Sequence, residues 1–223
     1  MKAILRKYRY FLIAFAVFSA ITLTLFYRAL DPGKSLPVYN PSMVNPELVD
    51  STMQHVAAYH KVADFSFVNQ NGKTVTQKDY EGKVYVADFF FTTCQTICPI
   101  MTDNMTTVQV AVKDNPKVML LSHTVTPEID DVPTLKQYAI DHKVIDGKWN
   151  LVTGDKREIY KMARKSYLAV KMGKPEELYD MVHTENFVLV DQERQVRGFY
   201  DGTDPDDIER LIEDINWLTE KKN

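Results

Sequence analysis

Cysteine is nearly absent from this sequence of 223 residues: there are two, Cys94 and Cys98. A disulfide framework is therefore excluded as the source of stability, and any core rests on ordinary hydrophobic packing. Glycine (8) and proline (10) are also sparse, which excludes collagen-like and low-complexity chains. Acidic residues are missing from the first 28 positions, which carry Lys2, Arg6, Lys7, Arg9 and Arg28. Taking those five positive charges from a net −3 leaves −8 on the rest, so nucleic acid is not an expected partner. No internal repeat is visible.

A long uncharged run occurs at residues 10–27, YFLIAFAVFSAITLTLFY. A bilayer span needs about 20 apolar residues, with a usable range near 17–25, so this run suffices. Basic residues precede it and aromatic residues cluster at both ends, as at membrane interfaces. It ends without an A-x-A pattern or a lipid-accepting cysteine, which favours a retained anchor over a cleaved signal peptide. The positive-inside rule places residues 1–9 in the cytoplasm, residues 10–27 in the inner membrane and the remainder in the periplasm. Residues 28–58, rich in proline, read as a tether, with a short helix at 51–60 capped by Ser51. His55 and His60 have no metal-binding neighbours in sequence and read as surface groups.

From 59 to 223 the pattern is that of a folded domain. Strands are predicted at 65–68 and 74–76 around an Asn71-Gly72 turn, at 83–91, 118–124 and 149–152, and finally at 187–190 and 196–200. Helices are predicted at 99–113, 133–142 and 153–165, with Thr153 as N-cap of the last. A terminal amphipathic helix opens at Pro205 and carries Ile208, Leu211, Ile212, Ile215 and Leu218 on one face. Alternating strands and helices imply a three-layer α/β domain with a mainly parallel sheet. The closing strand pair and terminal helix suggest a thioredoxin-like arrangement. The methionines, including Met101, Met105, Met172 and Met181, lie in apolar segments and read as packing.

The informative segment is D-F-F-F-T-T-C-Q-T-I-C-P at residues 88–99. Proline favours the first helical position and disfavours helix in the residue before it, so Cys98 is expected at or near an N-cap. Both sulfurs then lie near the positive end of a helix dipole, which favours thiolate. Thiolates serve both metal binding and disulfide exchange, and the C-x-x-x-C spacing leaves both open. A structural disulfide over so short a loop stabilises little by chain entropy. Two thiolates suit a soft ion such as Cu(I), and imidazole suits copper too. His183 precedes a late strand, in a loop that approaches the cysteine loop in thioredoxin-like folds. A lone histidine is more often a surface or core group.

The T-x-C-x-x-x-C-P core, the later V-H-T before a strand and the apolar N-terminal run together resemble the Sco/SenC family, over roughly residues 59–220. The resemblance implies a copper metallochaperone, not an enzyme, that assembles the copper centre of cytochrome c oxidase. It implies copper, as Cu(I) or Cu(II), held by Cys94, Cys98 and His183. The implied partner is a copper-accepting oxidase subunit or another copper chaperone. Two positions depart from the common family form: Gln95 stands where proline is usual, and Thr126 replaces the acid of a V-D-P segment. His123, at a strand end nearby, reads as solvated, with ligation the less favoured role.

The alternative is an anchored thiol–disulfide oxidoreductase that keeps partner cysteines reduced. Asp88, six residues before Cys94, matches the buried acid of thioredoxin. Against it, proline is missing between Pro175 and Pro205, where such reductases carry a cis-proline. A peroxidase lacks its P-x-x-x-T-x-x-C pattern, and a structural zinc site needs a fourth ligand such as His123.

Overall fold

The computed structural model describes residues 8–30, 34–172, 181–183 and 185–220, without the side chains of residues 28–30, 170–172 and 181–183. It divides into two units, Met1–Leu36 and Pro37–Asn223.

The first unit holds helix α1, Arg9–Leu30. Its 22 residues rise about 33 Å at about 1.5 Å each, close to the thickness of a bilayer core. The stretch Arg9–Tyr27 is apolar enough to cross a membrane. Phe11, Ile13, Phe18 and Leu23 are all more than half exposed.

In the second unit the strands are β1 (Ser66–Asn69), β2 (Thr74–Thr76), β3 (Val84–Phe90), β4 (Val118–Thr124), β5 (Trp149–Thr153), β6 (Val170–Met172), β7 (Met181–His183), β8 (Asn186–Val190) and β9 (Val196–Asp201). Among the described residues, seven of them form one sheet in the order β2-β1-β5-β4-β3-β8-β9, and β6 pairs with β7 apart from it. The sheet is mixed, in contrast to the mainly parallel one expected. Only β3–β4 and β4–β5 run parallel, while β1–β2, β1–β5, β3–β8 and β8–β9 are antiparallel. The tight turns at both ends of the sheet make hairpins, and hairpins impose antiparallel pairing.

Every residue of β3 and of β4 is buried, as their uninterrupted apolar runs demand of central strands. Side chains alternate across the sheet. Tyr85, Ala87 and Phe89 join the large aromatic-rich core with Phe65, Phe67 and Tyr167. Val86, Asp88 and Phe90 therefore face the opposite layer, where helix α2 (Ile97–Val112) and the C-terminal helix α5 (Pro205–Glu220) pack together. Met101 and Met105 of α2 are buried there, whereas the side chains of Met172 and Met181 lie outside the described residues.

Helix α3 (Val132–Asp141) starts at Asp131, whose carboxylate accepts from Thr134 N at 2.9 Å. Helix α4 (Lys156–Lys161) is capped by Asp155, not Thr153, and continues as a π-turn over Met162–Ser166. Leu168, two residues on, is fully buried with φ 57°.

The compact unit begins at Pro37, ahead of the domain start expected at 59. Tyr39 N donates to Val196 O on the edge strand at 2.8 Å, and its ring meets Phe199 edge-on at 5.1 Å. Val49 is fully buried, and Asp50 N reaches Arg164 O on the π-turn. Residues 51–55 form a turn instead of the expected helix. His55 is exposed. His60 is not a surface group: it is buried, with Nε2 2.8 Å from Ser166 O. Ser166 is the last residue of the π-turn, and the last carbonyls of a helix have no partner within it, so this one is available for such a contact.

Candidate functional site

The cysteine loop joins the end of β3 to the start of α2. Thr96 is the N-cap of α2, so Cys98 is the second helical residue instead of the cap itself. The first N–H groups of a helix have no partner within it. That of Cys98 points back at Cys94 and donates to its Sγ at 3.4 Å. Cys94 Sγ also lies 3.6 Å from Thr96 Oγ1. Cys94 is partly exposed, whereas Cys98 is 1% exposed.

This asymmetry separates the two thiols chemically. Partial burial pushes the Cys94 thiol up, but the N–H groups of Thr96 and Cys98 and the Thr96 hydroxyl outweigh it, bringing the pKa down to about 7. Burial pushes the Cys98 thiol up to about 12, and the charges of Cys94 and Asp88 add to it. Cys94 is thus the sulfur that ionises at neutral pH.

Asp88 lies on the α2 side of the sheet, 3% exposed. Burial raises its carboxyl to about 7, against the opposing hydrogen bond donated by Ser122. Ser122 in turn accepts from Trp149 Nε1 at 2.8 Å.

His123 pairs in register with Phe89 on the other side of the sheet and so points away from the cysteines. It is fully buried, stacked on Phe89 at 5.1 Å and flanked by Phe65, Phe67 and Tyr167. Among the described residues neither ring nitrogen has a hydrogen-bond partner, and burial lowers its pKa to about 3. The solvated strand-end reading is therefore incorrect, and His123 does not stand with the thiols as a further metal ligand.

His183 is the last residue of β7, opposite Val170 of β6. Its side chain lies outside the described residues. Among the described residues no three His, Cys, Asp or Glu groups stand together as a metal site. The cysteine loop supplies two soft donors, a set that fits copper.

Thr126 takes its place in a network around Asp130, a residue that sequence reasoning passed over. Asp130 is fully buried and accepts from Thr92 N (3.3 Å), Thr92 Oγ1 (2.5 Å), Thr126 Oγ1 (3.0 Å) and Thr124 Oγ1. One signal was present in the sequence. Of the adjacent acids Asp130 and Asp131 before α3, only one can cap the helix, which leaves the other for a tertiary contact.

The domain is thioredoxin-like, with an ionisable thiol beside a buried one at a helix start, an arrangement whose chemistry suits metal binding or disulfide exchange. Residues 53–220 match the family described as SCO1/SenC, and the chain belongs to that family. The SCO1 protein homolog of Bacillus subtilis (strain 168) is 36% identical over 158 residues, covering 70% of this chain and 81% of that protein. BsSco, a member of the Sco family of cytochrome c oxidase assembly proteins in which a disulfide switch was identified, is 35% identical. Its structure superposes with a TM-score of 0.60 over 70% of this chain and 92% of that one. The copper-bound ScoI of Bradyrhizobium japonicum is 26% identical, with a TM-score of 0.57 over 72% and 99% of the two chains.

Proposed function

We propose that this protein is a membrane-anchored copper metallochaperone that binds copper through Cys94, Cys98 and His183 and serves assembly of the copper centre of cytochrome c oxidase. The observation that carries this reading is the pair of thiols at the start of α2, with Cys94 Sγ held by the N–H of Cys98 at 3.4 Å and ionising near neutral pH. Thiolate is the form that binds soft metals, and a partly exposed sulfur is one that an accepting protein can reach. Copper is the cargo: three protein ligands leave a position through which it passes to the acceptor by ligand exchange. The acceptor is a copper-receiving oxidase subunit or another copper chaperone. Apolar α1 and the basic residues before it support an inner-membrane anchor with residues 1–9 cytoplasmic and the domain periplasmic.

The test is a Cu(I) titration of the full chain in detergent, reduced and without oxygen, against a chelating competitor. One tight equivalent, lost in Cys94→Ser and Cys98→Ser and weakened in His183→Ala, supports the three-ligand site. Full affinity in His183→Ala removes that residue from the proposal.

A second reading, thiol–disulfide exchange, is favoured by Asp88. Cys94 thiolate attacks a substrate disulfide and expels one thiolate. Cys98 then gives its proton to the Asp88 carboxylate and attacks Cys94 Sγ, releasing the second thiolate and leaving a Cys94–Cys98 disulfide. Wild type that binds no Cu(I) in competition yet reduces a disulfide substrate belongs to this reading.

A further inference from the structure

The loop that carries Cys94 is held at its start by a residue 38 positions downstream. A carboxylate is an acceptor with about four lone-pair sites, and the four donors around Asp130 come from both sides of the loop junction. Thr92, two residues before Cys94, uses both its backbone N–H and its hydroxyl; Thr124 ends β4, and Thr126 follows it. The same junction is tied by Val125 N to Phe90 O at 2.8 Å and by Thr126 N to Thr124 Oγ1 at 3.1 Å. Asp131 supplies the cap of α3, so Asp130 has no part in starting that helix.

We infer that Asp130 is a positioning residue for the cysteine pair: by clamping Thr92 it sets where Cys94 Sγ sits relative to Cys98. The inference rests on reading those cysteines as the functional site. Thr126 belongs to the same device, as one of its hydroxyl donors. A buried, fully subscribed carboxylate holds its neighbours in one arrangement, because a donor that leaves it gives up a hydrogen bond to a carboxylate, and the hydroxyls of Thr124 and Thr126 would stay buried and unpaired. Without it, the segment from Thr92 to Thr96 keeps, among the described residues, the Cys94 N–Phe91 O bond, the contacts of Cys94 Sγ with Thr96 Oγ1 and Cys98 N, and the helix start, none of which ties Thr92 to β4. The two sulfurs then meet less often in the geometry that a disulfide needs.

The test is the equilibrium between the full chain in detergent and glutathione disulfide. Oxidation of the pair forms the Cys94–Cys98 bond and releases two glutathione thiols, so the constant reports how well the fold presents one sulfur to the other. Asp130→Ala is expected to lower it at least fivefold and Thr92→Val, which removes one hydroxyl donor at a half-buried site, at least threefold. Asp130→Asn retains one oxygen acceptor and an amide that can donate to a reoriented threonine hydroxyl, so it is expected within twofold of wild type. If Asp130→Ala fails to fold, Thr92→Val decides. A folded Thr92→Val with the wild-type constant overturns the inference, as does Asp130→Asn that falls as far as Asp130→Ala, which would assign the effect to charge. A chain that binds no Cu(I) but shows the expected shifts removes the copper reading and leaves this one standing.

Discussion

Cys98 donates its backbone N–H to the sulfur of Cys94, and the same turn of helix that supplies this donor buries the Cys98 side chain. One thiol is thereby prepared to ionise and the other is held protonated. The separation arises from the helix start: an N–H without an intrahelical partner is available to stabilise a thiolate, while the second helical residue faces inward.

Alkylation by iodoacetamide, followed residue by residue by mass spectrometry, should show this directly. Cys94 is expected to react with a half-maximal rate near pH 7, and Cys98 to stay unreactive at that pH in the folded protein. Equal modification of both at pH 7 contradicts the asymmetry.

Asp88 makes stability depend on pH in the direction opposite to a salt-bridged carboxylate. Its pKa is about 7 in the folded chain against 3.8 unfolded. The folded form binds the extra proton between those values, so this contribution is fully present below about pH 4 and lost as pH rises through 7. At about 1.4 kcal/mol per unit over the two units between pH 5 and the folded pKa, Asp88→Asn should gain about 3 kcal/mol on wild type between pH 5 and pH 8. Urea melts of both proteins at the two pH values check it, and parallel changes would count against it.

His123 has the opposite sign. With a pKa of about 3 folded and 6.5 unfolded, it contributes stability above pH 6.5 that disappears as pH falls toward 3. Replacing it by phenylalanine removes two unpaired buried nitrogens from an aromatic core, worth roughly 1–3 kcal/mol. His123→Phe should therefore unfold at lower pH than wild type while binding Cu(I) with unchanged affinity. A loss of copper affinity would return His123 to the ligand set.

The segment at 37–60 behaves as part of the domain, so its deletion should cost more than a tether would. Burial of Val49 alone is worth about 1.5–3 kcal/mol, and the His60 contact adds about 1 kcal/mol. Thermal unfolding of the deleted and intact chains measures the difference. An unchanged midpoint would show that the packed segment contributes nothing.

Much of the fold was legible in the sequence because it follows from local chemistry. The apolar runs of β3 and β4 marked buried strands, and the 3.6-residue spacing of Ile208, Leu211, Ile215 and Leu218 marked α5. The Asn71-Gly72 turn was readable for the same reason: φ 71° at Gly72 is a property of that residue. The cysteine spacing before Pro99 announced a pair of thiols at a helix start. The β6–β7 pair was missed, since strands of three residues carry too little periodicity to register.

What the sequence by itself determined is which segments are strands and helices and that Cys94 and Cys98 stand together, because both depend on neighbours a few residues apart. Tertiary structure decided the rest. His123 and Asp88 sit on adjacent strands, yet one lies in an aromatic cage and the other on the α2 side, a difference set by the pleat and register of the sheet. His60 is buried because residues 37–60 fold back on a π-turn about a hundred residues away. Asp130 clamps Thr92 only because β3 and β4 lie side by side and parallel, bringing the ends of both strands to one edge. Hydrogen bonds of that reach leave no periodic trace in the chain, since they satisfy buried groups that approach one another only after the sheet has formed.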